Sequence, residues 1–358
     1  MKVGIVGLPN AGKSTLFNAL TRAGAETAEY PFTTIDPNVA VVPIPDERVD
    51  QVAATVGSTE VVPETIEFDD IAGLVRGASA GEGLGNRFLA AIRETDAICH
   101  IVRCHEAGSV PHPEGTVDPV RDAELVEAEL CAADLEQAEG RLERVTREAH
   151  SGDAEAIAER GWLEAAVDAL AAGSAVRSVP VPGAAAGAPG RLQALTSKPV
   201  LYVANVDEGV DRVPATLAEH AEAAGAAALA ISARVEADLA DLEDPGEAAE
   251  LRDGLGIGEA GLDRLVRAAF DLLGLITFFT AHAGAEATAR ELPEGATAWD
   301  AAGRVHTDFQ RDFVRAEVIG WRELVDAGGY ASARDRGTVR TEGRDYVVAD
   351  GDVINIRT

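Results

Sequence analysis

The chain opens on an apolar run, Val3-Gly4-Ile5-Val6, breaks into Gly7-Leu8-Pro9-Asn10-Ala11-Gly12-Lys13-Ser14-Thr15, and resumes with helical spacing through Leu16, Phe17, Ala19 and Leu20. This succession predicts a strand, a glycine-rich turn and a helix. Further strand-like runs follow at 66–70, around 99–103 and at 200–204. Between the last two, residues 122–150 and 153–172 are rich in Ala, Glu, Leu and Arg. Ala138, Leu142, Val145 and Ala149, and then Leu163, Val167 and Leu170, recur three and four apart, with Ser151-Gly152-Asp153 between the two sets. The spacing predicts two antiparallel helices forming an arm. Residues 179–189, with Pro, Gly and Ala, read as a flexible connection. After Gly274, residues 275–280, a helix-like 298–309 and residues 345–356 predict a β-grasp module with a terminal hairpin turning at 349–352.

The turn at 7–14 is a complete G-x-x-x-x-G-K-S phosphate-binding loop in the required strand-to-helix context. Its glycines let successive backbone N–H groups face phosphate oxygens, Lys13 offers a cation to the β- and γ-phosphates, and the Ser14 hydroxyl suits Mg²⁺. Composition sharpens the point. The chain has three lysines, at 2, 13 and 198, against 28 arginines, yet lysine occupies the one place where a compact ammonium is needed. Asp70-Ile71-Ala72-Gly73 at the end of a strand supplies a second element, Asp70 holding Mg²⁺ through water and the Gly73 amide meeting the γ-phosphate. Thr34, in the loop Pro31-Phe32-Thr33-Thr34 between the two, is the candidate for a further Mg²⁺ ligand. Leu74 stands where Ras-like enzymes carry a water-orienting glutamine, so another group must serve. His112 is the candidate, as an imidazole on a flexible loop segment, 108–113, able to swing toward the γ-phosphate. Asn10 is a weaker candidate for placing a monovalent cation.

At 205–208 the chain reads Asn205-Val206-Asp207-Glu208, where a guanine-specific switch protein carries Asn-Lys-x-Asp. A short carboxylate at the fourth place accepts from N1–H and the 2-amino group of guanine, and adenine offers neither donor. The change predicts loss of guanine selection, with Asn205 kept as a base or loop contact.

At 358 residues the chain has length for two or three domains. It has neither a secretory apolar region ahead of the phosphate loop nor a run long enough to span a bilayer, which predicts a cytoplasmic location. Cys99, Cys104 and Cys131 do not read as a disulfide framework. Cys99-His100-Ile101-Val102-Arg103-Cys104-His105 invites a zinc site, but its alternating side chains diverge in a strand, which is the reading adopted. A formal charge of −30 opposes contact with RNA. The arginines at 311, 315, 322, 334, 336, 340 and 344 are the candidates for a local basic patch.

The phosphate loop, Pro31-Phe32-Thr33-Thr34-Ile35-Asp36-Pro37-Asn38, the run Asp70-Ile71-Ala72-Gly73-Leu74-Val75-Arg76-Gly77-Ala78-Ser79 followed by Gly81-Glu82-Gly83-Leu84-Gly85-Asn86, Asn205-Val206-Asp207-Glu208 and Ala302-Gly303-Arg304-Val305-His306-Thr307-Asp308-Phe309 together resemble the YchF/Obg-like ATPase family. The resemblance covers nearly the whole chain. It implies an α/β P-loop NTPase domain at 1–121 and 198–274, an inserted helical arm at 122–197 and a ubiquitin-like TGS domain at 275–358. It also implies a ribosome-associated, ATP-hydrolysing regulator of translation or stress responses. Expected nucleotide contacts are Asn10, Ala11, Gly12, Lys13, Ser14, Thr15, Gly73, Asn205, Val206, Glu208, Ser232 and Ala233. Ser14, Thr34 and Asp70 are expected on Mg²⁺, with Lys13 and His112 in catalysis. Ala11 replaces the family's commoner Val without disturbing the backbone cradle, and Thr33 replaces a cysteine found in some relatives, so redox control is not expected there. A GTPase or unselective NTPase, and a non-catalytic nucleotide-sensing ribosome-binding module, are the alternatives.

Overall fold

The opening apolar run forms β1 (Lys2–Val6), and the first amphipathic stretch forms α1 (Lys13–Thr27). The chain continues through β2 (Val39–Pro43), α2 (Glu47–Val56), β3 (Glu60–Val62), β4 (Thr65–Asp70), α3 (Leu84–Arg93), β5 (Ala97–Arg103), α4 (Pro119–Ala149) and α5 (Ala154–Ala171). Then come β6 (Val200–Asn205), β7 (Ala227–Ile231), β8 (Leu275–Ala281), β9 (Glu286–Pro293), β10 (Arg315–Gly320), β11 (Arg340–Glu342) and β12 (Asp352–Arg357), with shorter helices between them. The computed structural model describes residues 1–27, 38–71, 84–106, 110–242, 244–255, 257 and 260–358. They divide into two units, residues 1–42 with 67–265, and residues 43–66 with 266–358.

In the first unit the strand order is β2-β4-β1-β5-β6-β7, and β1 with β4 and β5, β5 with β6, and β6 with β7 all pair in parallel. Every residue of β5 and β6 is buried, so both faces of these central strands are covered. An open sheet of this kind gathers a ligand site at the carboxyl ends of its strands. β5 takes the Cys99–Arg103 run as strand. Cys99 is fully buried with its thiol pushed up to about 12 by desolvation, while His100 lies against the Tyr202 ring, 5.4 Å between centroids.

The arm differs in extent from its expected boundary at 122. Ala123, Val126, Leu130 and Ala133, on the first half of α4, belong to the same apolar core as Val102 and Tyr202. Only the second half continues into a helix hairpin, where Ala138, Val145 and Ala149 pack with Leu163 and Leu170, and the partly buried Leu142 and Val167 flank them. Gly152 makes the turn with φ 84°, and the Asp153 carboxylate caps α5 by accepting from the Glu155 N–H. Residues 179–189 are not a loose connection, because Ala185 and Ala188 are fully buried in that hairpin core; side chains this small let the backbone lie against the helices. The return to the sheet is fixed by Asp134, which is buried on α4 and accepts from the Leu195 and Thr196 N–H groups and the Thr196 hydroxyl at 2.7–2.8 Å.

In the second unit the order is β11-β10-β12-β8-β9-β3. Neighbouring residues on its strands serve opposite faces. Phe279, Ile319 and Val353 share one core with Val49 and Val52 of α2, while Phe278, Val318 and Ile354 share another with Ala298 and Ala301. Residues 43–66 therefore belong here, and not with the nucleotide-binding half as the sequence division has it. They supply β3, parallel to β9, and a helix covering one face of a sheet that residues 275–358 alone would leave partly bare. Arg48 pins this segment by donating to Asp46 and Asp350 while lying 5.5 Å over the Phe279 ring.

The expected helix at 298–309 is broken at His306, which has extended backbone and caps a second short helix. Residues 345–348 do not form a hairpin with β12, which pairs antiparallel to β10 and parallel to β8; Tyr346 and Val347 engage Ala298 and Thr297 instead. Of the seven arginines expected as a basic patch, three are opposed by carboxylates, while Arg336 and Arg344 donate to the Asp326 and Phe313 carbonyls. Arg311 pairs with Asp308 and Asp312, Arg334 with Glu317 and Arg340 with Asp352.

Val52 is fully buried against the sheet face. Val52→Ala is expected to cost the second unit roughly 2 kcal/mol, read in urea by the fluorescence of Trp299 and Trp321. An unchanged transition for that unit argues against the placement of residues 43–66.

Candidate functional site

The carboxyl ends of β1, β5, β6 and β7 surround a cleft of about 780 Å³. Asn10, Gly12, Lys13, Ser14 and Thr15 form one side of it, and Arg103, His105, Glu106, Val110, Asn205, Val206, Asp207, Glu208, Ser232, Ala233 and Arg234 complete the wall. The loop between β1 and α1 has the backbone that a phosphate cradle needs. Gly12 has φ 103°, and a Cβ there collides with Asn205 Nδ2, so no other residue fits. Asn10, also left-handed at φ 63°, donates from Nδ2 to the Pro111 carbonyl at 3.1 Å.

Lys13 is buried, and its ammonium donates to the Gly7 and Leu8 carbonyls at 3.0 and 2.9 Å. Desolvation lowers its pKa, partly opposed by Asp70. For Asp70, at the end of β4, desolvation raises the pKa and Lys13 opposes it. A half-buried carboxylate and the exposed Ser14 hydroxyl give hard oxygen donors of the type Mg²⁺ takes, and the desolvated carboxylate is stabilised by a cation arriving there. Among the described residues no group of three or more His, Cys, Asp and Glu forms a metal cage. Gly73, Leu74 and Thr34 lie outside the described residues.

Asn205 is 6% exposed and its amide is fully engaged. Nδ2 donates to the Ala11 carbonyl at 2.9 Å and Oδ1 accepts the Ala233 N–H at 3.1 Å. The residue expected as a base or loop contact is thus a loop contact, tying the phosphate loop to the segment after β7. Val206 is buried, whereas Asp207 and Glu208 are exposed at the rim.

His112 is not brought into the cleft. Its side chain is 5% exposed, with Nε2 2.8 Å from Asp122 Oδ2 and Nδ1 accepting the Glu114 N–H at 3.1 Å. It lines a small void behind the phosphate loop with Leu8, Pro9 and Ala11. The reason is local: Asp122, in the first turn of α4, is itself buried, and the imidazole is its neighbour. The sequence reading missed Arg103, His105, Glu106, Asp207 and Arg234. The signal was available for the first two, since Arg103 ends, and His105 closely follows, a strand adjacent to the one that leads into the phosphate loop.

Residues 2–131 match the family described as 50S ribosome-binding GTPase, and residues 275–358 match the YchF-GTPase C-terminal family, described as a protein of unknown function. The chain is 47% identical to the ribosome-binding ATPase YchF of Escherichia coli O157:H7, covering 99% of this chain and 98% of that protein. It is 45% identical to the protein of the same name from Bacillus subtilis, covering 100% and 99%. Among solved structures, the Schizosaccharomyces pombe YchF GTPase superposes with a TM-score of 0.88 at 31% identity, over 100% of this chain and 97% of that one. No helix among the described residues is long and apolar enough to cross a membrane.

Removing the Asn205 amide leaves the Ala11 carbonyl and the Ala233 N–H without partners. Asn205→Ala is expected to weaken Mg-nucleotide binding about tenfold to a hundredfold, the equivalent of ~1–3 kcal/mol. Calorimetric titration checks it, and wild-type affinity in the variant refutes the bracing role.

Proposed function

We propose that this chain, which belongs to the YchF family, is a Mg²⁺-dependent ATP-hydrolysing switch that works in the cytoplasm in association with the ribosome. The observation that carries the proposal is the buried Lys13 ammonium, held on its own loop's carbonyls beside Asp70 at the mouth of a nucleotide-sized cleft. Phosphate oxygens would exchange for those carbonyls at little cost in reorganisation, because the ammonium is already desolvated and in place. Ser14, Asp70 and Thr34 would hold Mg²⁺, which when bound neutralises charge on the β- and γ-phosphates. The loop amides and the N-terminus of α1 orient the phosphates.

For the base, the argument rests on the rim. Asn205 is committed to bracing, and the fourth position of its motif is the exposed, longer Glu208 in place of the guanine-reading Asp. This rim supports the reading of ATP over GTP as the nucleotide. A GTP reading has one observation in its favour: Asp207, one residue earlier, also presents a carboxylate at the cleft. The ribosome as partner comes from the names of the bacterial relatives. The paired C-terminal arginines do not identify the contact face.

ATP is expected to bind at least about tenfold more tightly than GTP, since one good polar discriminating contact is worth ~1–3 kcal/mol. Titration of both at fixed Mg²⁺ checks this, with Lys13→Ala as the variant that abolishes both. Tenfold preference for GTP reverses the assignment.

His112 is retained as the group that assists the attacking water, on condition that it leaves Asp122. His112→Ala is then expected to lower the single-turnover rate by about 10²-fold with little change in ATP affinity, because its contact forms chiefly in the transition state. A wild-type rate removes the histidine from the chemistry and leaves the nucleotide switch intact.

A further inference from the structure

The described residues lining the cleft include one imidazole, that of His105, just beyond the end of β5. Its Nε2 lies 3.4 Å from Asn205 Nδ2 and its Nδ1 3.9 Å from Asp207 Oδ1. The orientation of the Asn205 amide is not free. Turning it over would set Nδ2 against the Ala233 N–H and Oδ1 against the Ala11 carbonyl, two like-with-like conflicts in a buried place. Nδ2 is therefore a donor facing His105, and a ring nitrogen facing a donor has to be the unprotonated one. That leaves the single proton of the neutral ring on Nδ1, on the side of the Asp207 carboxylate.

A second proton has nowhere to go but Nε2, where it meets the Asn205 amide hydrogens. The conflict is relieved only if the imidazole swings out or Asn205 shifts, and a shift of Asn205 loosens the phosphate loop at Ala11 and the segment at Ala233 together. We infer that neutral His105 is part of the support of the Asn205 brace, so that nucleotide affinity at this cleft falls when His105 takes up a proton. The inference rests on the nucleotide-binding reading of the cleft.

The groups around the ring fix the direction. Burial and the Arg103 guanidinium on β5 oppose the imidazolium, Asp207 after β6 and Glu106 beside it in the chain favour it, and the balance lowers the pKa from its ordinary 6.5. His105 is thus neutral near pH 7. A ligand that selects the neutral form binds at full strength there and progressively less well as the pH falls through the lowered pKa.

The test is calorimetric affinity for Mg²⁺ with a non-hydrolysable ATP analogue, at pH 7.5 and 5.5, for the wild-type chain, His105→Gln and His105→Phe. Gln keeps an acceptor without titrating; Phe keeps a ring without an acceptor. Wild-type affinity is expected to drop at the lower pH beyond any change in the variants. His105→Gln is expected to stay close to wild-type affinity at pH 7.5, and His105→Phe to be weaker by a constant factor at both values. Titration of the nucleotide phosphates is common to all three proteins, so the difference in slope reports the imidazole. Equal slopes in all three overturn the inference while leaving the nucleotide site standing; failure of the wild-type chain to bind at either pH overturns both.

Discussion

The side-chain amide of Asn205 is the contact on which the geometry of the cleft depends. It rises from the end of β6, accepts from the segment after the neighbouring β7 and donates, across β5, to the loop after β1, so the ends of these three strands are fixed to one another by one planar group. The approach is possible only because Gly12 has no side chain at the point of contact. An amide buried this deeply and satisfied at both ends has one orientation, and each partner left without it costs about 1–3 kcal/mol. The backbone of the phosphate loop is therefore held by contacts within the protein, and the Lys13 ammonium rests on the Gly7 and Leu8 carbonyls of the same loop. Preorganisation of this kind is what allows a small ligand group to be recognised by backbone amides.

The second unit depends on a different constraint, the two-faced character of its sheet. Adjacent pairs such as Phe278 with Phe279, Val318 with Ile319 and Val353 with Ile354 point to opposite sides, so both faces require cover. One is covered by the helix that follows Thr297. The other needs α2, which comes from residues 43–66, far away in the sequence. That stretch follows β2 directly and is followed by β4, which ends at Asp70.

What was legible in the sequence follows from range. The phosphate loop is a local structure: glycines at fixed offsets between an apolar run and an amphipathic one specify strand, turn and helix without help from elsewhere, and β1 and α1 are found where the pattern puts them. The helix hairpin is likewise set by its own spacing and by Gly152. The expectation for residues 43–66 went astray because β3 has three residues and α2 buries Val49 and Val52 against strands more than two hundred residues away, which periodicity cannot identify. His112 was misplaced for a related reason. A histidine between two prolines looks like a solvent-facing loop residue, and only the fold brings a buried carboxylate from the first turn of α4 to within 2.8 Å of it. In the sequence His105 and Arg103 read as members of a zinc pattern, whereas their relevant property is that they stand at the carboxyl edge of β5.

The formal charge of −30 sets a last constraint on how such a site works. A nucleoside triphosphate approaching this protein is repelled at long range, and the cleft rim does not reverse this, since Glu106, Asp207 and Glu208 stand opposite Arg103 and Arg234. Attraction has to come within hydrogen-bond distance, from loop amides, the helix terminus and one desolvated ammonium, all of which act over a few ångströms and are little weakened by salt. The same reasoning applies in the second unit to Arg311, Arg334 and Arg340, which are paired with adjacent carboxylates. A partner rich in phosphate gains there only what it can draw out of existing ion pairs, so shape and hydrogen bonding, more than net charge, must define any such contact.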